Sequence, residues 1–158
     1  YLELTQKLYR DLKLSRVYFS GFEPISNTPL EKRSSCPPWR ELRLYQASFL
    51  IRDYGFSVEQ LDEILDDFGN LPNKDPKEAY AEAHPELFPI DLNQASLREL
   101  LLIPGIGLET AKRIVAARNV QKIKTYADLR RVLGRALTRK IAPYVSIGER
   151  GALRAYVG

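Results

Sequence analysis

The chain interrupts its own most apolar helix. In the stretch LLLIPGIGLETAKRIVAAR, residues 100–118, a proline and two glycines stand in the middle. A helix running through them would lose about 3 kcal/mol at Pro104 and about 1 kcal/mol at each of Gly105 and Gly107. The chain must therefore turn here, and whatever it folds into must contain two short helices joined by a tight connection. Pro104 ends the first helix, because it has no amide to donate. Gly105 and Gly107 can take φ > 0 and leave the backbone bare. Ile106, between them, is expected as a buried knob pinned by both helices. The second helix then starts at Leu108, Glu109 and Thr110, whose amides have no intrahelical acceptor and carry the positive end of the helix dipole. Such a bare row of amides suits an anion, phosphate above all. Lys112 and Arg113 follow within a turn and would flank it.

Leu100, Ile103, Gly105, Ile106, Gly107, Ala111, Ile114 and Val115 fit the pattern h-x-x-h-x-G-h-G-x-x-x-A-x-x-h-h at every key position. This resembles the helix-hairpin-helix motif of DNA-repair and recombination proteins. The resemblance implies phosphate contacts through Gly105, Ile106, Gly107, Leu108, Glu109, Thr110, Lys112 and Arg113, with little sequence preference, because phosphates carry no base identity. It also implies a monovalent cation, K⁺ or Na⁺, at the carbonyls of Ile103 and Gly105. A tight turn used for packing or for protein contacts is the competing reading of the same residues.

A weaker copy follows 29 residues later. Leu129, Val132 and Gly134 stand where Leu100, Ile103 and Gly105 stand; Ala136 replaces the second glycine and Lys140 falls where Ala111 is. The pair resembles tandem hairpins that grip both strands of a duplex across the minor groove. Gly134, Arg135, Arg139 and Lys140 are its candidate DNA contacts. The departures leave two roles open for it: phosphate binding of its own, or support of the first hairpin with Arg130, Arg131, Arg135, Arg139 and Lys140 adding charge. An ordinary solvated basic surface is the plain alternative for those five.

Charge agrees with the hairpins. Residues 1–89 hold 11 Lys and Arg against 15 Asp and Glu, a net of −4; residues 90–158 hold 13 against 5, a net of +8. Such asymmetry points to a polyanionic partner for the basic half. Cys36 and His84 are the single cysteine and histidine. One cysteine excludes an intrachain disulfide and a cysteine-ligated iron–sulfur cluster, and no common zinc ligand set can be assembled. No transition metal, catalytic residue or cofactor-binding residue is expected in this chain. No apolar run approaches the roughly 20 residues of a membrane helix and no secretory signal is visible, so the expected location is the cytoplasm, without a membrane partner.

Elsewhere the pattern is helical. Leu4, Leu8 and Leu12 share one helix face. RVYFSGFEPI reads as a strand near residues 16–22, closed by Pro24. Pro37 and Pro38 open a helix carrying Leu42, Tyr45, Phe49 and Leu50, with Gly55 at its C-terminal cap. Ser57 with Gln60, and Ser96 with Glu99, have capping-box spacing. Asp75-Pro76 with Glu78 starts another helix, and Thr125, with Asp128, caps a further one. The LDEILDDF carboxylates read as a solvated helix face. A helix followed by one lone strand is the end of an α/β repeat, and such a strand expects a sheet to join. Together with the absence of methionine, this gives the expectation that the sequence is a piece of a longer protein.

RVYFSGFEPI, PPWRELRLYQASFLIRDYGF, GNLPNKDPKEAYAEAHPELFPIDLNQA and then the hairpin also resemble, in this order, the C-terminal part of radical S-adenosylmethionine proteins described as DNA modification or repair enzymes. The resemblance covers nearly all of residues 1–148, with its longest motifs around Arg43, Tyr45 and Gln46 and around Asp75, Pro76 and Lys77. It implies that a partial barrel in the parent protein binds a 4Fe–4S cluster and S-adenosylmethionine through a three-cysteine loop that this sequence lacks. Residues 1–25 would be the last helix and strand of that barrel, and Arg40, Glu41, Arg43, Tyr45 and Gln46 would dock against it or, in the second reading, touch nucleic acid.

The expected fold is thus mainly α. A truncated barrel remnant spans 1–25 with its strand near 16–22, an acidic helical region 26–89, a compact tandem helix-hairpin-helix domain 90–148, and a tail 149–158. The expected function is sequence-nonspecific binding of nucleic acid, duplex DNA before RNA, as the C-terminal part of a radical S-adenosylmethionine enzyme. The alternatives are a non-enzymatic DNA-binding adaptor or receptor of the competence type, and a protein-interaction module.

Overall fold

A computed structural model describes residues 1–147; the tail expected at 149–158 lies outside the described residues. Among these there are eight α-helices and one two-stranded parallel sheet. The protein is mainly helical. It divides into two compact units, Tyr1–Tyr80 and Ala81 onward, a division that falls inside a helix rather than at 89–90. Residues 1–25 belong to the first unit and do not form one of their own.

The first unit contains α1 (Leu2–Arg10), α2 (Pro38–Asp53), α3 (Val58–Asp62) and the start of α4 (Pro76–Ala83). Proline opens α2, and its end is closed by Gly55 at φ +72°, with the Phe56 amide reaching back to the Leu50 carbonyl. That backward bond across a left-handed glycine stops the helix. Ser57 and Gln60 cap α3 reciprocally, at 3.2 and 3.1 Å. Asp75 Oδ1 accepts the Lys77 amide at the start of α4. Ala47, Leu50, Phe56, Val58, Leu61, Ile64 and Leu71 form the core, with Phe56 edge-on to Tyr80.

Several expectations for this unit need correction. The Leu4–Leu8–Leu12 face is not the buried one: Leu2 and Thr5 are buried, Leu4 is exposed, and α1 stops at Arg10, leaving Leu12 outside it. Leu42 on α2 is also exposed. Of the LDEILDDF carboxylates only Asp62 lies on α3, which ends there, and Asp66 accepts the amides of Phe68 and Asn70 in the following loop.

Residues 16–22 form no strand. Their exposure alternates, with Val17, Phe19 and Gly21 half-buried and Arg16, Tyr18, Ser20 and Phe22 exposed, as β-type side chains on one face would give. A ladder is missing because side chains meet the alternate amides instead. The amides of Val17, Phe19 and Gly21 donate to Tyr9 Oη, Tyr45 Oη and Glu41 Oε2 at 3.2, 3.1 and 2.9 Å. Glu41 and Tyr45 therefore dock onto their own chain. So do Arg43, which donates to Gln46 and Asn73, and Gln46, which donates to Asp75.

The second unit contains β1 (Ile90–Asp91), α5 (Leu97–Leu102), α6 (Leu108–Val120), α7 (Tyr126–Leu133), α8 (Arg135–Ile141) and β2 (Val145–Ser146). β1 and β2 pair in parallel, Ile90 opposite Val145 and Asp91 opposite Ser146, so the segments before α5 and after α8 are tied side by side. Each of α5 to α8 packs on the next. Capping boxes start α5 (Ser96 with Glu99) and α7 (Thr125 with Asp128). Leu92, Leu100, Ile103, Ile106, Ala111, Ile114, Ile123, Leu129, Ile141 and Val145 form one buried core.

Candidate nucleic-acid interface

The interrupted helix becomes the turn between α5 and α6. Ile103 and Pro104 are fully buried, and Ile106 is 1 % exposed, so the expected knob is in place. Ala111 is 0 % exposed: the absence of a longer side chain there lets α5 and α6 approach. Gly105 has φ +89°, a region that other residues enter only under strain. Gly107 does not need that freedom. It is the N-cap of α6 with φ −97° and ψ 178°, extended backbone open to any residue, and only Gly105 is required to be left-handed.

Of the expected contacts at residues 105–110, Ile106 drops out of the row of amides. Ile106 donates its amide to the Ile103 carbonyl at 3.1 Å and its side chain lies in the core, so neither is offered outward. The first helical bond of α6 runs from the Ala111 amide to the Gly107 carbonyl at 2.9 Å. Among the described residues, the amides of Gly107, Leu108, Glu109 and Thr110 make no hydrogen bond. These four donors stand at the N-terminus of a 13-residue helix, where the dipole favours negative charge.

The flanking cations are partly engaged. Lys112 Nζ lies 3.1 Å from Glu109 Oε1, an exposed pair that solvent screens. Arg113 donates to the Val132 carbonyl, so it ties α6 to α7. Arg118 donates to the carbonyls of Leu92 and Ala95 at 2.9 and 2.6 Å, holding the segment that leads into α5. Every other Lys and Arg of residues 90–147 is exposed.

The second turn reproduces the first in one respect. Gly134 has φ +82°, close to Gly105. The rest differs. A single glycine serves as both the C-cap of α7 and the N-cap of α8, so α8 begins at Arg135, the counterpart of Ile106. There is no knob: Arg135 is exposed, as are Ala136, Arg139 and Lys140. The Gly134 amide is already bonded to Arg130 O at 2.8 Å, and its carbonyl accepts both the amide and the hydroxyl of Thr138.

The carbonyls of Ile103 and Gly105, the expected place of a monovalent cation, lie at this turn. The Ile103 carbonyl accepts the Ile106 amide, and the stem of Lys140 passes over Gly105.

Three contacts that shape this surface are absent from the hairpin pattern: the Arg118 clamp, the Arg113 tie, and a paired exchange between Asn93 and Ile123. Arginine in a basic half reads as surface charge, and no spacing rule marks these two as internal donors. Among the described residues no helix is long and apolar enough to cross a membrane.

No curated protein and no solved structure matches the chain. The hairpin geometry has a counterpart that supports nucleic-acid binding in general: residues 88–146 match the family model described as the helix-hairpin-helix motif.

Proposed function

We propose that the second unit binds the phosphate backbone of duplex DNA with little regard to sequence, through the turn between α5 and α6. The observation that carries this reading is the row of unbonded amides at residues 107–110, placed on a left-handed Gly105 beside an almost wholly exposed set of cations. Unbonded amides at a helix start recognise a phosphate and no base edge. The exposed cations add long-range attraction.

Replacing Gly105 and Gly107 together by valine tests the reading. Valine at 105 cannot follow φ +89° without strain, and valine at 107 crowds the amide row. The expected result is loss of DNA binding with helical circular dichroism retained. Retained binding in a variant whose helices persist would overturn the reading. A variant that unfolds is replaced by Gly107→Val alone, whose φ of −97° tolerates valine; the same two outcomes then apply.

A finer reading places this unit at the end of a radical S-adenosylmethionine enzyme that modifies or repairs DNA, with the first unit joining an upstream barrel. It rests on the sequence resemblance across residues 1–148. In the first unit Tyr1, Leu4, Leu12, Tyr18, Ile25, Leu42 and Phe68 are all more than half exposed, apolar side chains that an upstream barrel would cover in this reading. A three-cysteine loop in the coding sequence upstream would support this reading. A signal segment or membrane anchor there would support the DNA-receptor alternative instead.

A further inference from the structure

We propose that Lys140, carried by the second hairpin, belongs to the phosphate site of the first, so that the two hairpins make one composite contact instead of two separate ones. This rests on the phosphate-binding reading above and names a side chain and a division of labour within it.

The starting point is the place of Lys140 in the repeat. Its counterpart is Ala111, which is fully buried because α5 and α6 touch there. A lysine at the same point of the second hairpin cannot be buried in that way, and Lys140 is exposed. Its side chain runs toward the first hairpin. A Cβ built on Gly105 would lie 3.2 Å from Lys140 Cδ and 3.3 Å from Cε, with Ile141 Cγ2 at 3.6 Å. The aliphatic stem therefore lies on the bare glycine, and the ammonium, one bond beyond Cε, is carried by the same side chain to this turn, two residues before the first of the amides at 107–110. A stem held on apolar surface with its charge at the rim is the usual compromise for a long cation. Gly105 is thus needed for its φ of +89°, and its lack of a side chain leaves room for the Lys140 stem.

The second turn is poorly equipped to bind phosphate by itself. Its glycine amide is bonded to Arg130 O, its carbonyl is filled by Thr138, and α8 is only seven residues long. What it does have is a fixed position. Arg113 of α6 donates to Val132 O at the end of α7, and α7 packs on α8, so the helix bearing Lys140 is registered against the helix bearing the amides. The second hairpin acts as a mount for one lysine.

The test is a titration of the ¹⁵N-labelled protein with a short DNA duplex, read by amide shifts, together with salt-dependent affinities of variants. The proposal expects the amides of Gly107, Leu108, Glu109 and Thr110 to shift while those of Gly134 and Ala136 stay near their free positions. Lys140→Gln should weaken binding about five- to tenfold near 0.1 M salt and reduce the slope of log K against log salt by about one, as for one lost phosphate contact. Lys140→Arg should restore most of the affinity. Lys122→Gln, a charge-matched change on the α6–α7 connection, should cost less than about twofold. Comparable shifts at Gly134 and Ala136, or equal losses for Lys140→Gln and Lys122→Gln, would overturn the composite site and leave the first hairpin's phosphate reading standing. Absence of any shift and of any binding by the unaltered protein would instead overturn that underlying reading.

Discussion

Asn93 and Ile123 exchange two hydrogen bonds: Asn93 Nδ2 donates to the Ile123 carbonyl and the Ile123 amide donates to Asn93 Oδ1, both at 2.9 Å. One side chain thus imitates a strand partner and fastens the segment before α5 to the connection between α6 and α7. Ile123 is only 2 % exposed, so its backbone groups have little access to water. Asn93→Ala should destabilise the second unit by about 2–4 kcal/mol, since two nearly buried groups lose their partners. Asn93→Asp, which keeps the acceptor and loses the donor, should fall between. Chemical denaturation of the variants measures this.

Two glycines with nearly equal dihedral angles should respond differently to the same change. Gly105 and Gly134 have φ of +89° and +82°, but an added Cβ meets Lys140 at 3.2 Å in the first and nothing within 4 Å in the second. Both alanine variants should lose stability, by about 1 kcal/mol or somewhat more, from backbone strain. Only Gly105→Ala should also weaken DNA binding, because only there does the new methyl displace the lysine. Melting temperatures and affinities of the two variants, measured side by side, check the contrast.

Glu109 stands in the first turn of α6, where an incoming phosphate would meet it, and holds Lys112 at 3.1 Å. A carboxylate there helps the helix dipole in the free protein and repels a polyanion. Glu109→Gln should therefore tighten DNA binding by about threefold at low salt, through lost repulsion and a released lysine. The gain should vanish as salt screens it. Anisotropy titrations at low and high salt measure it.

The capping boxes make the helical unit acid-sensitive. The Ser96 hydroxyl, and then the Ser96 amide, hold the Glu99 carboxyl below its ordinary 4.5. The Thr125 hydroxyl, with the amides of Lys124 and Thr125 and the charge of Arg131, holds Asp128 below its ordinary 3.8. Both values are depressed by folding, so the stabilisation is complete above the unfolded values and is lost as pH falls through the folded ones. The melting temperature should hold steady above about pH 5 and decline below about pH 4. A double variant, Glu99→Gln with Asp128→Asn, should show a shallower decline over that range.

Sequence carried the hairpin well because its signals are local. Pro104 and Gly105 fix a break, Ile106 is apolar between two polar-tolerant glycines, and Ser96–Glu99 and Thr125–Asp128 announce helix starts within four residues. The features that escaped notice are long-range or too short for a period. β1 and β2 have two residues each, far below the length at which alternation can be read, and they pair across the whole unit. Arg113 and Arg118 look like surface charge until their carbonyl acceptors are known. In the first unit, residues 16–22 kept the strand's alternation of side chains and lost its ladder, since Tyr9, Glu41 and Tyr45 supplied the acceptors that a neighbouring strand supplies elsewhere. The Leu4–Leu8–Leu12 spacing does not mark the buried face because α1 stops before its third member.

The central claim is that this protein holds nucleic acid by its phosphates. A salt-dependent titration with duplexes of unrelated sequence tests it most directly. The account predicts that log K falls with log salt at a slope of roughly −2 to −4, the release expected for a few phosphate contacts, and that exchanging the sequence changes affinity little. A flat salt response, or strong preference for one sequence at an unchanged salt slope, would contradict it.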